Sequence, residues 1–485
     1  MSISTGFGNA QQRAQTHFGG VGLGDVRRAR RVVRLAAGWA REPGASIPRL
    51  SQGQTYASKA AYQLLGHAQA TPEALQAPHS QVVAQQLQAP GTYLLVEDTT
   101  ELSWPEAAER RTGLGQAGPG KAYSQGVLLH SLVAAAWPAT DPVPAAKRPV
   151  LPLLGLLDQQ FHARQPVPDA EKAHPHGGTR PSQGRVRESA LWAQRLRAVG
   201  NPPPGTRWVV VTDRGADIYE HLQLCQAKSL GFVVRAAQNR ALVTGADKTP
   251  AGRLLEQARA QPSTGTFSLA LRGRPRQPAR AVALQVSFTP ALALRAPQRP
   301  GGVTGKGKPV PASMVRVWEE TEPGTAPGLE WLLLCDQPVT DFAQALTCAR
   351  QYASRWLIEN FHKALKKGLG AEKLQLQTAA RLFAAVALLS VVALALVDLR
   401  EKSRLEPDLP AESASLTATE LRVLRHQSRR PLDTVRAVYL ALAALGGHLG
   451  RKGDGPPGWQ TRWLGRRSLR LFVKGVNMAA QLLDE

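Results

Sequence analysis

Apolar positions near the start of the chain recur at helical spacing. In "LGDVRRARRVVRLAAGWARE", Val32, Val33, Leu35, Ala36 and Trp39 share one half of a helical wheel. Arg27, Arg28, Arg30 and Arg31 crowd its start, and Asp25 stands at the N-cap position. "TYASKAAYQLLGH" and "TPEALQAPHSQVVAQQLQ" continue as short helices. The period then shortens. "TYLLVEDTTELSW" opens with an apolar strand ending at Asp98, and "GVLLHSLVAAAW" reads as a pair of strands. "ESALWAQRLRAV" is an amphipathic helix, and "RWVVVTDRGADIYEHL" runs from a strand at Trp208–Val211 through Asp213 into another helix. "GFVVRAA" adds one more strand. Strands alternating with helices predict a mixed α/β sheet.

From about residue 238 to 328, short alternating segments separated by Gly and Pro, with "ARAVALQVSF" and "LALRAP" as separate strands among them, predict an antiparallel β insertion. "LEWLLLCD" resumes the core. The apolar run Leu382–Val397 is shorter than the about 20 residues a bilayer span requires, so it reads as a buried core helix. A charged linker is expected after Asp398, then a helical section to Glu485 with "GGHLGRKGDGPPGW" as a loop. The expected domains are 1–75 (helical), 76–400 (α/β core with its insertion) and 401–485 (helical).

Composition narrows the partners. The chain has 485 residues, 43% of them hydrophobic, enough for a sizeable core. Lys plus Arg number 60 against 36 Asp plus Glu, a formal net charge of +24. That excess points to a polyanion, nucleic acid above all; a biased genome composition is the alternative, but such bias need not produce net charge. The basic N-terminal helices suit phosphate contacts, or are simply a solvated arginine face. Cys225, Cys335 and Cys348 lack metal-ligand spacing, and no apolar leader is visible, so a reducing, cytoplasmic setting with no membrane partner is expected. "GGVTGKGK" lacks the spacing of a phosphate loop, with Pro300 and Gly307 at the decisive positions. "HPHGG", residues 174–178, sits in a Pro-rich loop and carries little metal signal.

The strongest chemistry lies in "YASRWLIENFHKALKKG". On an ideal helix Tyr352, Arg355, Glu359, Lys363 and Lys366 share a stripe about 80° wide, with Trp356 at its edge. The plain reading is a solvated face with a Glu359–Lys363 ion pair. Asp98 and Asp213, however, each follow an apolar strand, where α/β folds commonly place active sites. Three acids from two strands and a helix suit two Mg²⁺ ions, with Mn²⁺ as a substitute. Such a pair promotes in-line phosphoryl displacement. Glu359 would then ligate metal while Tyr352, Arg355, Lys363 and Lys366 bind a DNA backbone.

These residues also resemble a known family, the bacterial cut-and-paste DDE transposases of the fourth insertion-sequence family, the transposon-five group. Its signature of Tyr, two residues, Arg, three, Glu, six, Lys is met by Tyr352, Arg355, Glu359 and Lys366. "VEDTTELSW", "FVVRAAQ" and "LEWLLLCDQPV" match other blocks in order, as do "SKAAYQLL" and "LAALGGHLGRKGDGPPGWQTRW". The resemblance implies an RNase H-like core and Asp98, Asp213 and Glu359 as the metal-binding catalytic triad. It implies nicking of transposon ends, hairpin formation, hairpin opening and strand transfer into target DNA, by a homodimer joined through the C-terminal helices. It also implies base stacking by Trp331 and Trp356, with core packing as the alternative for each, and a DNA contact by Arg235. Gly215 departs from the family, which often has Glu there. A related nuclease without strand transfer and a DNA-binding relative with a silent core are the competing readings.

Overall fold

The computed structural model describes residues 10–105, 111–118, 124–138, 150–165, 188–245, 248–271, 280–297, 307–321, 328–414, 416–428, 430–451 and 457–483. Asp25 caps the helix Val26–Arg41 by accepting the Arg27 N–H. Val32, Val33, Leu35, Ala36 and Trp39 form its buried side. Arg27 and Arg30 are exposed, Arg28 and Arg31 half-buried. Burial of the apolar half is what turns the guanidinium half outward. This helix, with Thr55–Leu65 and Pro72–Gln86, packs on the long helix Ala379–Leu405.

That long helix carries the apolar run, and 72% of its most apolar window is buried inside the protein. It is long and apolar enough to cross a membrane, but its side chains form the core, as expected. The expected end at Asp398 is corrected: the helix runs on to Leu405. "DLREKSRL" contains no helix breaker, and the first proline afterwards is Pro407.

The middle of the chain builds one mixed sheet. Its strands are β1 (Gly91–Pro105), β2 (Gly115–Gln116), β3 (Ser124–Trp137), β4 (Leu153–His162), β5 (Thr206–Thr212) and β6 (Gly231–Arg235). They continue as β7 (Ala241–Thr244), β8 (Thr249–Arg253), β9 (Gly265–Leu271), β10 (Arg280–Leu294), β11 (Val310–Glu319) and β12 (Glu330–Cys335). Their order is β2-β3-β1-β5-β6-β12-β11-β10-β7-β8, with β4 beside β3 and β9 beside β10. β1, β5 and β6 run parallel, and the helix Tyr219–Ala227 makes the crossover between β5 and β6. Alternate residues of β1 enter different cores: Leu94 and Val96 one, Tyr93 and Leu95 the other.

Three strand expectations change. "GVLLHSLVAAAW" is one strand, not two, because no turn residue interrupts its pairing with β1 from Thr92↔Trp137 to Pro105↔Ser124. For the same reason β1 does not stop at Asp98. "ARAVALQVSF" and "LALRAP" join in β10, bent by a bulge between Thr289 and Leu292, where Ala291 has φ 55°. The insertion also holds a short helix, Leu254–Ala260, and extends the central sheet through β11 and β12. "HPHGG" and most of "GGVTGKGK" lie outside the described residues. A third apolar cluster joins the helices Ala418–Gln427, Val435–Leu445 and Trp459–Leu483.

Candidate active site

The parallel pairing of β1 with β5 ends at Val96↔Val211. Asp98 and Asp213 are each two residues beyond that pair, at matching steps of the two strands. β5 stops at Thr212, so Asp98 stands at a rim on that side although β1 continues along β3. The Asp213 side chain caps the turn Arg214–Ala216 and accepts the Gly215 N–H at 2.7 Å. A Cβ on Gly215 would lie 3.0 Å from Trp192 Cζ2 and 3.1 Å from Asp213 Oδ1, so the small residue fits a crowded corner.

The third acid comes from the helix Trp356–Lys363. Arg355, at its N-cap, donates to Asp98 Oδ2 at 2.9 Å and to Glu359 Oε1 at 3.0 Å, bridging strand and helix. Burial lifts Asp98 to about 6; Arg355 opposes that rise, and the charges of Asp213 and Glu359 add to it. Asp98 therefore senses both of the other acids electrostatically.

Two family models match the chain. One, described as Transposase DNA-binding, covers residues 10–70, the basic N-terminal helices. The other, described as Transposase Tn5 dimerisation domain, covers residues 391–484. Together these two matches support a Tn5-like transposase. The first match gives the outward arginine face of Val26–Arg41 a DNA-binding context. The second spans the end of the long core helix and the C-terminal helices.

The expected stripe on one continuous helix is corrected. The helix Phe342–Ala353 ends before Ser354, and the next begins at Trp356. Across the junction the backbone tightens, with Arg355 N–H to Tyr352 O and Ile358 N–H to Arg355 O, three residues apart. Beyond Lys363 it widens into a π turn, Ala364–Gly368. A uniform 100° step therefore fails on both sides of Glu359. Tyr352 is buried, its ring edge-to-face on Trp331 with centroids 5.2 Å apart. Arg355 turns inward, and Glu359 pairs with it rather than with Lys363. Lys366 donates to Glu101 O at 2.7 Å and lies 3.4 Å from Glu372. Lys363 is exposed, as is its unforeseen neighbour Lys367. Leu357, Phe361, Ala364 and Leu365 are buried, as expected of the opposite flank.

Trp331 is half-buried, whereas Trp356 is 41% exposed. Arg235 ends β6 beside β12 and donates to Glu330 O at 2.7 Å, next to Trp331. Sequence reading missed Glu97, His130 and His221, three buried polar residues behind Asp98. A signal was present: a carboxylate and an imidazole inside two apolar strands, "LLVED" and "VLLHSL".

In kind, the carboxylates of Asp98, Asp213 and Glu359 are the hard oxygen donors that suit a divalent cation. In spacing, among the described residues no three His, Cys, Asp or Glu side chains are grouped closely enough to hold one. Arg355 bridges two of the three acids, so its guanidinium and a cation would compete for Asp98 Oδ2 and Glu359 Oε1.

Proposed function

We propose that this transposase cuts and rejoins DNA at transposon ends, with Asp98, Asp213 and Glu359 as the acids that hold two divalent cations of the Mg²⁺ class, Mn²⁺ substituting. The observation that carries the reading is the matched step of Asp98 and Asp213 past the β1–β5 ladder, with Arg355 tying Asp98 to Glu359. The core is accordingly read as RNase H-like, with residues 1–75 binding DNA and 401–485 dimerising. Held by these three acids, such cations would supply activation of a nucleophilic oxygen and stabilisation of the leaving oxygen for an in-line phosphoryl displacement.

The chain's own groups do the positioning. Arg355 is a ready counter-ion for acids that repel one another, and a guanidinium displaced from them would face phosphate instead. Lys363 is placed to contact the backbone, as is Lys366 once freed from Glu372. Trp331 and Trp356 offer aromatic faces to an extruded base, which would ease a tight hairpin. Arg235 lies near Trp331 and is assigned a DNA contact. Terminal inverted repeats and target DNA are the substrates, and a homodimer pairs the two ends.

The test is a Mg²⁺-dependent time course on labelled terminal-repeat DNA, resolving nicked, hairpin and joined products. Alanine at Asp98, Asp213 or Glu359 should abolish nicking and leave end binding intact. Near-normal nicking by any one variant removes that residue from the set.

A further inference from the structure

Directly behind Asp98, on the opposite face of β1, Glu97 is fully buried. His130 Nε2 lies 2.7 Å from its Oε1, and His221 Nε2 lies 3.3 Å from its Oε2. The other nitrogen of His130, Nδ1, lies 2.6 Å from the Thr99 hydroxyl. An ionised carboxylate only accepts, so His130 donates through Nε2, and in its neutral form Nδ1 is left to accept the Thr99 hydroxyl proton. One tautomer of His130 satisfies the whole arrangement. Thr99 also donates its backbone N–H to Asp98 Oδ1 at 2.8 Å. A continuous chain of hydrogen bonds thus runs from Glu97 through His130 and Thr99 to Asp98.

A buried carboxylate is costly even when paired, and well-packed apolar side chains of similar volume often stabilise a core as well or better. Stability alone therefore does not account for this chain. Its far end meets one oxygen of Asp98, while the other faces Arg355 at 2.9 Å. We propose that Glu97, His130 and Thr99 are positioning residues for Asp98. They pin the Thr99 hydroxyl on the back of β1, aim its N–H at Oδ1, and so hold Oδ2 toward the shared rim of acids. The inference rests on Asp98 being a cation ligand, and it adds what orients that ligand. Partners of this kind commonly decide how tightly a ligand set binds.

Thr99→Val removes the hydroxyl and keeps the shape, while Thr99→Ser keeps the hydroxyl. Both are compared with the unmodified full chain in two measurements. One is the Mg²⁺ concentration for half-maximal nicking of end DNA. The other is the rise in melting temperature on adding Mg²⁺ without DNA. Thr99→Val should need about tenfold more Mg²⁺, the lower end of the effect of such outer partners, and show a smaller rise. Thr99→Ser should restore both, with metal-free melts unchanged. Thr99→Val matching the unmodified chain in both measurements overturns the proposal. If Thr99→Val lowers the metal-free melt, His130→Gln decides instead: it can donate to Glu97 but cannot reach Thr99, and the same match overturns the proposal. Asp98→Ala runs alongside. A dead Asp98→Ala with a silent Thr99→Val removes only the positioning role. An Asp98→Ala that nicks and responds to Mg²⁺ normally removes the ligand reading, and this one with it.

Discussion

Glu97 and Asp98 are adjacent in sequence and face opposite cores across β1. Burial pushes Glu97 up, yet hydrogen bonds from His130 and His221 outweigh it and hold the group below its usual range. Asp98 keeps a little solvent, and still burial and two neighbouring acids lift it to about 6 against the pull of Arg355. The more buried acid is the more comfortable anion. The number of donors aimed at a carboxylate, weighed against like charges beside it, outranks depth. A carboxylate with dedicated donors is held in its charged form; one buried beside like charges is pushed toward its neutral form.

The largest effect expected from this contrast is on activity at the front face. Asp98→Ala should lower nicking by about a thousandfold or more, as loss of a central catalytic group does. Its metal-free melt should not fall. Residual nicking with a lowered melt would break the contrast by making Asp98 architectural.

Glu97→Ala should behave in the opposite way. It strands His130 and His221 in a closed core, and removing one partner of a buried pair costs about 3–5 kcal/mol. A calorimetric melt should fall steeply, and nicking should fall further than the folded fraction, because Asp98 also loses the chain that positions it. An unchanged melt would show that the two imidazoles find other partners.

Acidity sharpens the contrast further. With a folded value near 6 above the ordinary 3.8, the contribution of Asp98 to stability is full below about pH 4 and is lost as pH rises through about 6. The loss is about 3 kcal/mol at most. The melting difference between Asp98→Asn and the unmodified chain, both free of metal, should grow in favour of the variant from pH 4 to pH 7. A difference independent of pH would contradict the raised value.

Trp331 tests the rim of the same site. Half-buried against Tyr352, it should tolerate Trp331→Ala with a small change in melt. Hairpin formation should drop by about tenfold, within the about 1–3 kcal/mol that base stacking supplies. Nicked DNA should then accumulate. Parallel loss of both products with a lowered melt would return Trp331 to the core.

The mildest test sets the inward Arg355 against the outward arginines. Replacing Arg27, Arg28, Arg30 and Arg31 with Ala should flatten log affinity against log salt by about 0.9 for each phosphate that is no longer neutralised. Arg27 is paired with Asp25 at 3.1 Å, yet its side chain is 81% exposed, so it can reach phosphate. An unchanged slope would leave these arginines as a solvated face.

Much of the fold was legible in the chain itself. The Asp25 cap, the buried half of Val26–Arg41, the parallel strands leading to Asp98 and Asp213, and the buried apolar run all follow from periodicity and local capping chemistry. Those signals act within a few residues, so a linear reading captures them. The failures share a different cause. β3 read as two strands because alternation reports a face and not a length. The stripe around Glu359 failed because the helical wheel assumes a constant pitch, and the backbone tightens at Arg355 and widens after Lys363.

The sequence by itself determined which residues carry charge, where the chain turns from helix to strand, and that two acids end apolar runs. Only the tertiary structure decided which of the signature cations faces solvent. Arg355 turns inward because Asp98, 257 positions away in sequence, offers it a second carboxylate beside Glu359. Glu97 is a settled buried anion only because β3 and the helix Tyr219–Ala227 bring His130 and His221 to it. Side-chain type is local, but the electrostatic role of an ionisable group is set by the neighbours that folding supplies.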